Sequence, residues 1–156
     1  MKISTRGEYA IRAMLYIAWM APDREHPVQS KEISKAQYIP EHYLKHILSD
    51  LRTHGLIRSS RGPHGGHWIA KDAETITVGD IVLAMEGQLT HLEDILLMPC
   101  QIEVGPDHCA IKELWIRVRD SIEEILHSET LADLVKRQRS LVADASSAKD
   151  KGFKIL

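Results

Sequence analysis

Residues 30–71 read SKEISKAQYIPEHYLKHILSDLRTHGLIRSSRGPHGGHWIAK, and this stretch decides the fold. Its middle is a helix: Pro40 suits the first helical position, where a missing N–H costs nothing, and Gly55 ends the run with a residue free to turn left-handed. Leu44, Ile47, Leu48 and Leu51 recur at helical intervals and make a stripe for burial. Opposite them lie His42, Lys45, His46 and Ser49, polar side chains spaced to share one exposed face. Upstream, Ser30 can cap a short helix over 30–35 with Ile33 and Ala36 turned inward, and residues 37–39 make a tight turn. Two short helices joined by a tight turn, the second with a polar outer face, form the helix-turn-helix arrangement. A strand over 56–60, a turn over 61–66 and a second strand over 67–70 then predict a β-hairpin wing with a glycine-rich tip flanked by arginine.

Working outward, Thr5 and Glu8 have the spacing of a capping box, and Ala10, Ala13, Met14, Ile17 and Ala21 continue a helix to about Ala21. Thr77 and Asp80 make a second capping-box pair, opening a helix through Val78, Ile81, Val82 and Met85 that ends at Gly87. Residues 88–109 carry little helical pattern and include Gly105-Pro106, so they read as a loop holding Cys100 and Cys109. From Ala110, the residues Ile111, Trp115, Val118, Ile122 and Ile125 step by four and three, a two-heptad seam that wants a partner helix. Thr130 and Asp133 cap a last short helix bearing Leu131, Leu134 and Val135, and the small, charged stretch beyond it reads as a mobile tail. The divisions expected are a DNA-binding unit over 1–87, a sensor loop over 88–109, a dimerisation helix with a short terminal helix over 110–136, and the tail over 137–156.

Composition agrees with a helical reading. The chain has 156 residues, 44% hydrophobic and 27% charged, with only 5% aromatic, 9 Gly and 6 Pro, which is globular but poor in the turns that a β-sandwich needs. The expected class is mainly α: a winged helix-turn-helix domain with a small β-hairpin wing plus a long C-terminal dimerisation helix. No apolar run approaches the ~20 residues of a membrane span. The apolar stretch 13–21 behind Lys2, Arg6 and Arg12 has a signal peptide's length, but Glu8, Trp19 and Met20 do not fit one. With two cysteines and no export signal, the expected compartment is the cytoplasm. The net charge of -2 conceals a polarity: residues 1–71 hold eleven Lys and Arg against six Asp and Glu, and residues 72–144 hold six against fifteen. Between Arg52 and Lys71 there is no carboxylate, and His54, His64 and His67 join the four cations there, a stripe suited to nucleic acid.

Several separated motifs carry a family resemblance. The opening residues 1–10 (MKISTRGEYA), the wing 61–66 (RGPHGG), the Ile76-Thr77-Val78 helix entry, and Cys109 followed by Glu113-Leu114-Trp115 stand in the order and spacing of one known group. The chain resembles the IscR and NsrR type of bacterial winged-helix regulators from Met1 to about Val135. That resemblance implies a homodimer built on the long helix, binding to a palindromic promoter site, and in many members an iron-sulfur cluster held before the long helix. Cluster-binding members show three cysteines; Cys100 and Cys109 match the first and last, and Glu103 stands near the absent middle one. Lys112 occupies the place where one subgroup uses a histidine ligand, and Glu8 stands where others use an acidic residue from the partner's first helix. Cys100, Cys109, His108 and Glu8 together have the donor types for a [2Fe-2S] cluster of mixed ligation, while zinc, a thiol switch and no cofactor stay open. Glu8 also has a purely structural role available at the helix start.

On the DNA side, His42, Lys45 and His46 lie on the second helix of the motif, where Lys45 can donate to guanine O6 or N7. Arg61 suits insertion into a narrow minor groove, Arg58 and Arg6 suit phosphate contacts, and Ser30 and His64 complete the expected contact set. No phosphate-binding loop, zinc-protease motif or nucleophile elbow is present, so an enzyme is not expected. A wing used only for protein contact would not need the carboxylate-free stretch.

Overall fold

The computed structural model of the chain describes residues 4–22, 26–90, 92–97 and 109–150. Helix α1 (Thr5–Met20) is the centre of the molecule, burying Ala10, Ala13, Met14, Ile17 and Ala18. Small residues along it let α2 (Ser30–Gln37), α3 (Glu41–Thr53), α4 (Val78–Glu86) and α7 (Leu131–Asp150) all pack against it. Its cap is Ser4, whose hydroxyl accepts from the Gly7 N–H at 3.1 Å, so the helix begins one residue earlier than the Thr5–Glu8 box predicts. The Ser4 hydroxyl also donates to Glu86 at the end of α4, and Glu8 is left to accept from Arg12 one turn on, at 2.7 Å.

Helices α2 and α3 form the helix-turn-helix. Ile33 is buried as expected, but Ala36 is exposed, because α2 offers the core only a narrow stripe. Ser30 is the first helical residue rather than the cap, since its hydroxyl is engaged elsewhere, and Gln29 takes the cap position without a side-chain bond. Pro40 likewise sits at the cap of α3, its carbonyl accepting from the N–H groups of Tyr43 and Leu44. The turn is closed by Tyr38 in the left-handed region (φ 53°) and by the Ser34 hydroxyl donating to the Ile39 carbonyl at 2.6 Å. Leu44, Ile47, Leu48 and Leu51 are buried, and Gly55 follows α3 with φ +68°.

Strands β1 (Ile57–Ser60) and β2 (Gly66–Ile69) pair antiparallel, Ile57 opposite Ile69 and Ser60 opposite Gly66. A short 3-10 turn (Ala73–Thr75) leads to α4, whose capping box is complete: the Asp80 N–H donates to the Thr77 hydroxyl and the Thr77 N–H donates to the Asp80 carboxylate. Within the stretch expected to be loop, residues 93–96 make one helical turn, α5 (Glu93–Leu96). Just before it, the hydroxyl of Thr90 is buried without a hydrogen-bond partner.

Helix α6 (Ala110–Ser128) packs on α4 and α5, with the His127 ring lying over Gly79 so closely that a Cβ there would stand 2.7 Å from Nδ1. No residue of α6 is buried. The Thr130–Asp133 cap opens α7 as expected, but α7 runs 20 residues to Asp150 rather than stopping where a tail was expected. Residues 137–150 contain neither Gly nor Pro, and their Ala, Lys, Arg and Gln are among the better helix formers, so nothing in them ends a helix.

Candidate nucleic-acid interface

The outer face of α3 presents His42, Lys45, His46 and Ser49, all exposed, because the leucine and isoleucine stripe fixes the opposite face in the core. The preceding turn adds Tyr38, 89% exposed. Pattern reading missed it, since a lone aromatic in a turn carries no periodic signal. Its left-handed backbone, unusual for a non-glycine residue, is the feature that singles it out.

The wing supplies a second set of donors. Arg58, on the side of β1 facing away from the core, and Arg61 and His64 at the tip are all exposed. The tip requires its glycines. Gly62 has φ +110°, and a Cβ on Gly65 would lie 2.5 Å from the Ser60 carbonyl oxygen.

Two of the eight expected DNA contacts also have protein partners. Arg6 forms an ion pair with Asp50 at 2.6 Å, joining the first turn of α1 to α3, so its charge is directed at the helix-turn-helix itself. Ser30 lies 2.8 Å from Nε2 of His67, and the other ring nitrogen of His67 lies 2.8 Å from the Ser59 hydroxyl. The backbone N–H and C=O of His67 pair with Val28. His67 therefore fastens β1, β2 and the start of α2 together. Burial, aided by the Arg52 charge, holds the His67 pKa below the usual histidine value. With both ring nitrogens engaged inside the fold, it is a structural pin within the basic stripe.

Among the expected cofactor ligands, Cys100 and His108 lie outside the described residues, as does Glu103. Cys109 is buried at the cap of α6. Glu8 is exposed and paired with Arg12. Among the described residues no group of three or more His, Cys, Asp or Glu side chains is arranged to hold a metal ion. None of the described helices is long and apolar enough to cross a membrane.

Comparison with known proteins agrees with this geometry. The family model for Rrf2, an iron-dependent transcriptional regulator, matches residues 3–137. The regulator CymR of Bacillus subtilis is 37% identical over 134 residues, covering 86% of this chain and 89% of CymR. The regulator IscR of Yersinia enterocolitica is 37% identical over 145 residues, covering 92% of this chain and 85% of its own. The solved structure of CymR, the global cysteine regulator of B. subtilis, superposes with a TM-score of 0.73 at 36% identity, over 88% of this chain and 98% of that one. That of T. potens IscR gives 0.70 at 36% identity, over 88% of each. These relatives are regulators of transcription rather than enzymes, and with a helix-turn-helix, a wing and a matched family model spanning nearly all the described residues, the chain belongs to the Rrf2 family of DNA-binding transcriptional regulators.

Proposed function

We propose that the protein works as a homodimer that reads a palindromic promoter site, each copy placing α3 in a major groove. The observation that carries this is the exposed His42, Lys45 and His46 face of α3 beside a wing without carboxylates. Lys45 donates to guanine O6 or N7, and the two histidines donate to or accept from base edges. Arg58 contacts phosphate, Arg61 and His64 engage the flanking groove, and the exposed Tyr38 hydroxyl, just before α3, donates to a DNA phosphate. Arg6 and Ser30 act indirectly, by holding α3 and the wing in place. Dimerisation is supported by the apolar seam of α6, where Ile111 is 60%, Leu114 50% and Ile125 63% exposed.

Selection of binding sites from a random duplex pool, followed by footprinting, tests this reading. The expected product is a palindrome with half-site centres about 34 Å apart. A pool that converges on no sequence, or on a single half-site, overturns it.

A cluster is less well supported than a cluster-free sensor. A [2Fe-2S] cluster takes four ligands, the chain has two cysteines, and Glu8 already serves Arg12. Of the candidate donors only Cys109 and Glu8 lie among the described residues, and within one chain they belong to no group of three or more metal-ligating side chains. The reading favoured instead is that the signal enters at Cys109, buried where the loop meets α6, through thiol oxidation or a partner protein. Protein purified anaerobically is expected to contain no stoichiometric iron and sulfide, and Cys109→Ser to abolish the response of operator affinity to oxidant. One cluster per chain or per dimer would restore the iron-sulfur reading.

A further inference from the structure

A cleft of 320 Å³ lies between the end of α1, the base of the wing and α7. Its floor is apolar: Ala21, Ile69 and Val135 are each under 10% exposed. Its rim is charged with both signs. Asp72 stands on the wing side, and Lys136 and Arg139, three residues apart and so neighbours on one face of α7, stand on the other. Arg139 is steadied over the ring of Trp19, 5.8 Å from its centroid. Asp72 spends one carboxylate oxygen on the Glu74 N–H. Although all three charged residues line the same cleft, no ion pair joins Asp72 to either cation among the described residues.

Opposite charges held apart across an apolar floor match a ligand that carries both charges on a compact body. The volume is at the lower end of the roughly 300–1,000 Å³ of small-molecule pockets, so the body is small. We propose that this cleft binds a free α-amino acid with an uncharged side chain, its carboxylate on Lys136 and Arg139, its ammonium on Asp72 and its side chain on the floor. Guanidinium and carboxylate pair through two parallel hydrogen bonds, which fixes the ligand's orientation. Ile69 ends β2 and Asp72 caps the turn leading to α4, so a bound ligand ties α7 to the base of the wing. An effect on DNA affinity rests on the function proposed above; the binding itself does not.

Calorimetry and thermal denaturation of the full chain without DNA, with each uncharged-side-chain L-amino acid up to 20 mM, test the proposal. At least one is expected to bind once per chain and to raise Tm by about 3–6 °C at ten times its Kd. Propionate and ethylamine, which mimic the two halves of alanine, are expected to bind at least tenfold more weakly than that amino acid. Lys136→Met and Arg139→Met, both at exposed positions, are expected to weaken it tenfold or more, as is Ala132→Leu, which crowds the cleft and whose fold circular dichroism checks. Absence of binding by every amino acid overturns the proposal. So does propionate binding as tightly as the amino acid, or an affinity unchanged in both cation variants. Because no DNA is present, failure here leaves the DNA-binding reading standing, and failure of operator selection leaves the ligand result standing.

Discussion

Lys45 and Arg58 carry the same charge but are proposed to touch different parts of the duplex, a base edge and a phosphate. A contact to a base edge depends on sequence, whereas a contact to phosphate does not, so the two substitutions separate in one experiment. Lys45→Ala is expected to weaken binding to the selected site by about 1–3 kcal/mol and to leave random duplex nearly unchanged. Arg58→Ala is expected to weaken both alike and to lower the salt slope by about one. Anisotropy titrations on the two duplexes at several salt concentrations measure this, and equal losses for Lys45→Ala would make it a phosphate contact. A second residue-scale expectation concerns His67. Its folded pKa lies below the unfolded value of about 6.5, so the unfolded chain binds more protons. The stability it contributes is therefore fully present above about pH 6.5 and is lost as the pH falls from there through the folded pKa. Urea midpoints between pH 7.5 and 5 are expected to fall more steeply for the natural chain than for His67→Gln. Parallel curves would show that the pin does not titrate in that range. The outer face of α3 was legible in the sequence because it follows from local spacing. The contacts of Arg6 and Ser30 within the chain were not, because their partners Asp50 and His67 lie 44 and 37 residues away, and only folding brings them together.

At the scale of elements, what is local was legible and what depends on packing was displaced. The Thr77–Asp80 and Thr130–Asp133 caps each place donor and acceptor three residues apart, and both form. The Thr5–Glu8 pair has the same spacing and does not close, because Ser4 caps α1 and Arg12 takes Glu8. Helix α7 outran its expected end because polarity and small size were read as signs of a tail, although alanine and lysine also favour helix. Thr77→Ala is expected to lower stability by about 1 kcal/mol, measured as a reduced urea midpoint with unchanged slope. Gly65→Ala is expected to spare the core while impairing the wing: the new methyl meets the Ser60 carbonyl oxygen, so the tip must shift. DNA affinity should then fall with little change in Tm, and unchanged affinity would remove the tip from the interface.

At the scale of the whole molecule, the chain is finished on one side and open on the other. The core around α1 closes within a single copy, while α6 leaves Ile111, Leu114 and Ile125 exposed and Trp115, Val118 and Ile122 half-buried. Ile111→Lys combined with Ile125→Glu is expected to give a folded monomer in sedimentation, with operator affinity reduced to that of one half-site; a variant that stays dimeric would place the contact elsewhere. The open side has a consequence for the protein's supply as well as its shape. In the proposed homodimer, a 19-residue helix with no buried residue of its own would draw much of its stability from association, so Tm should rise with protein concentration. At low copy number unpaired chains would expose an apolar ridge and feed the proteases, and as copies accumulate, pairing would protect them. The abundance of the regulator would then help to set its own lifetime.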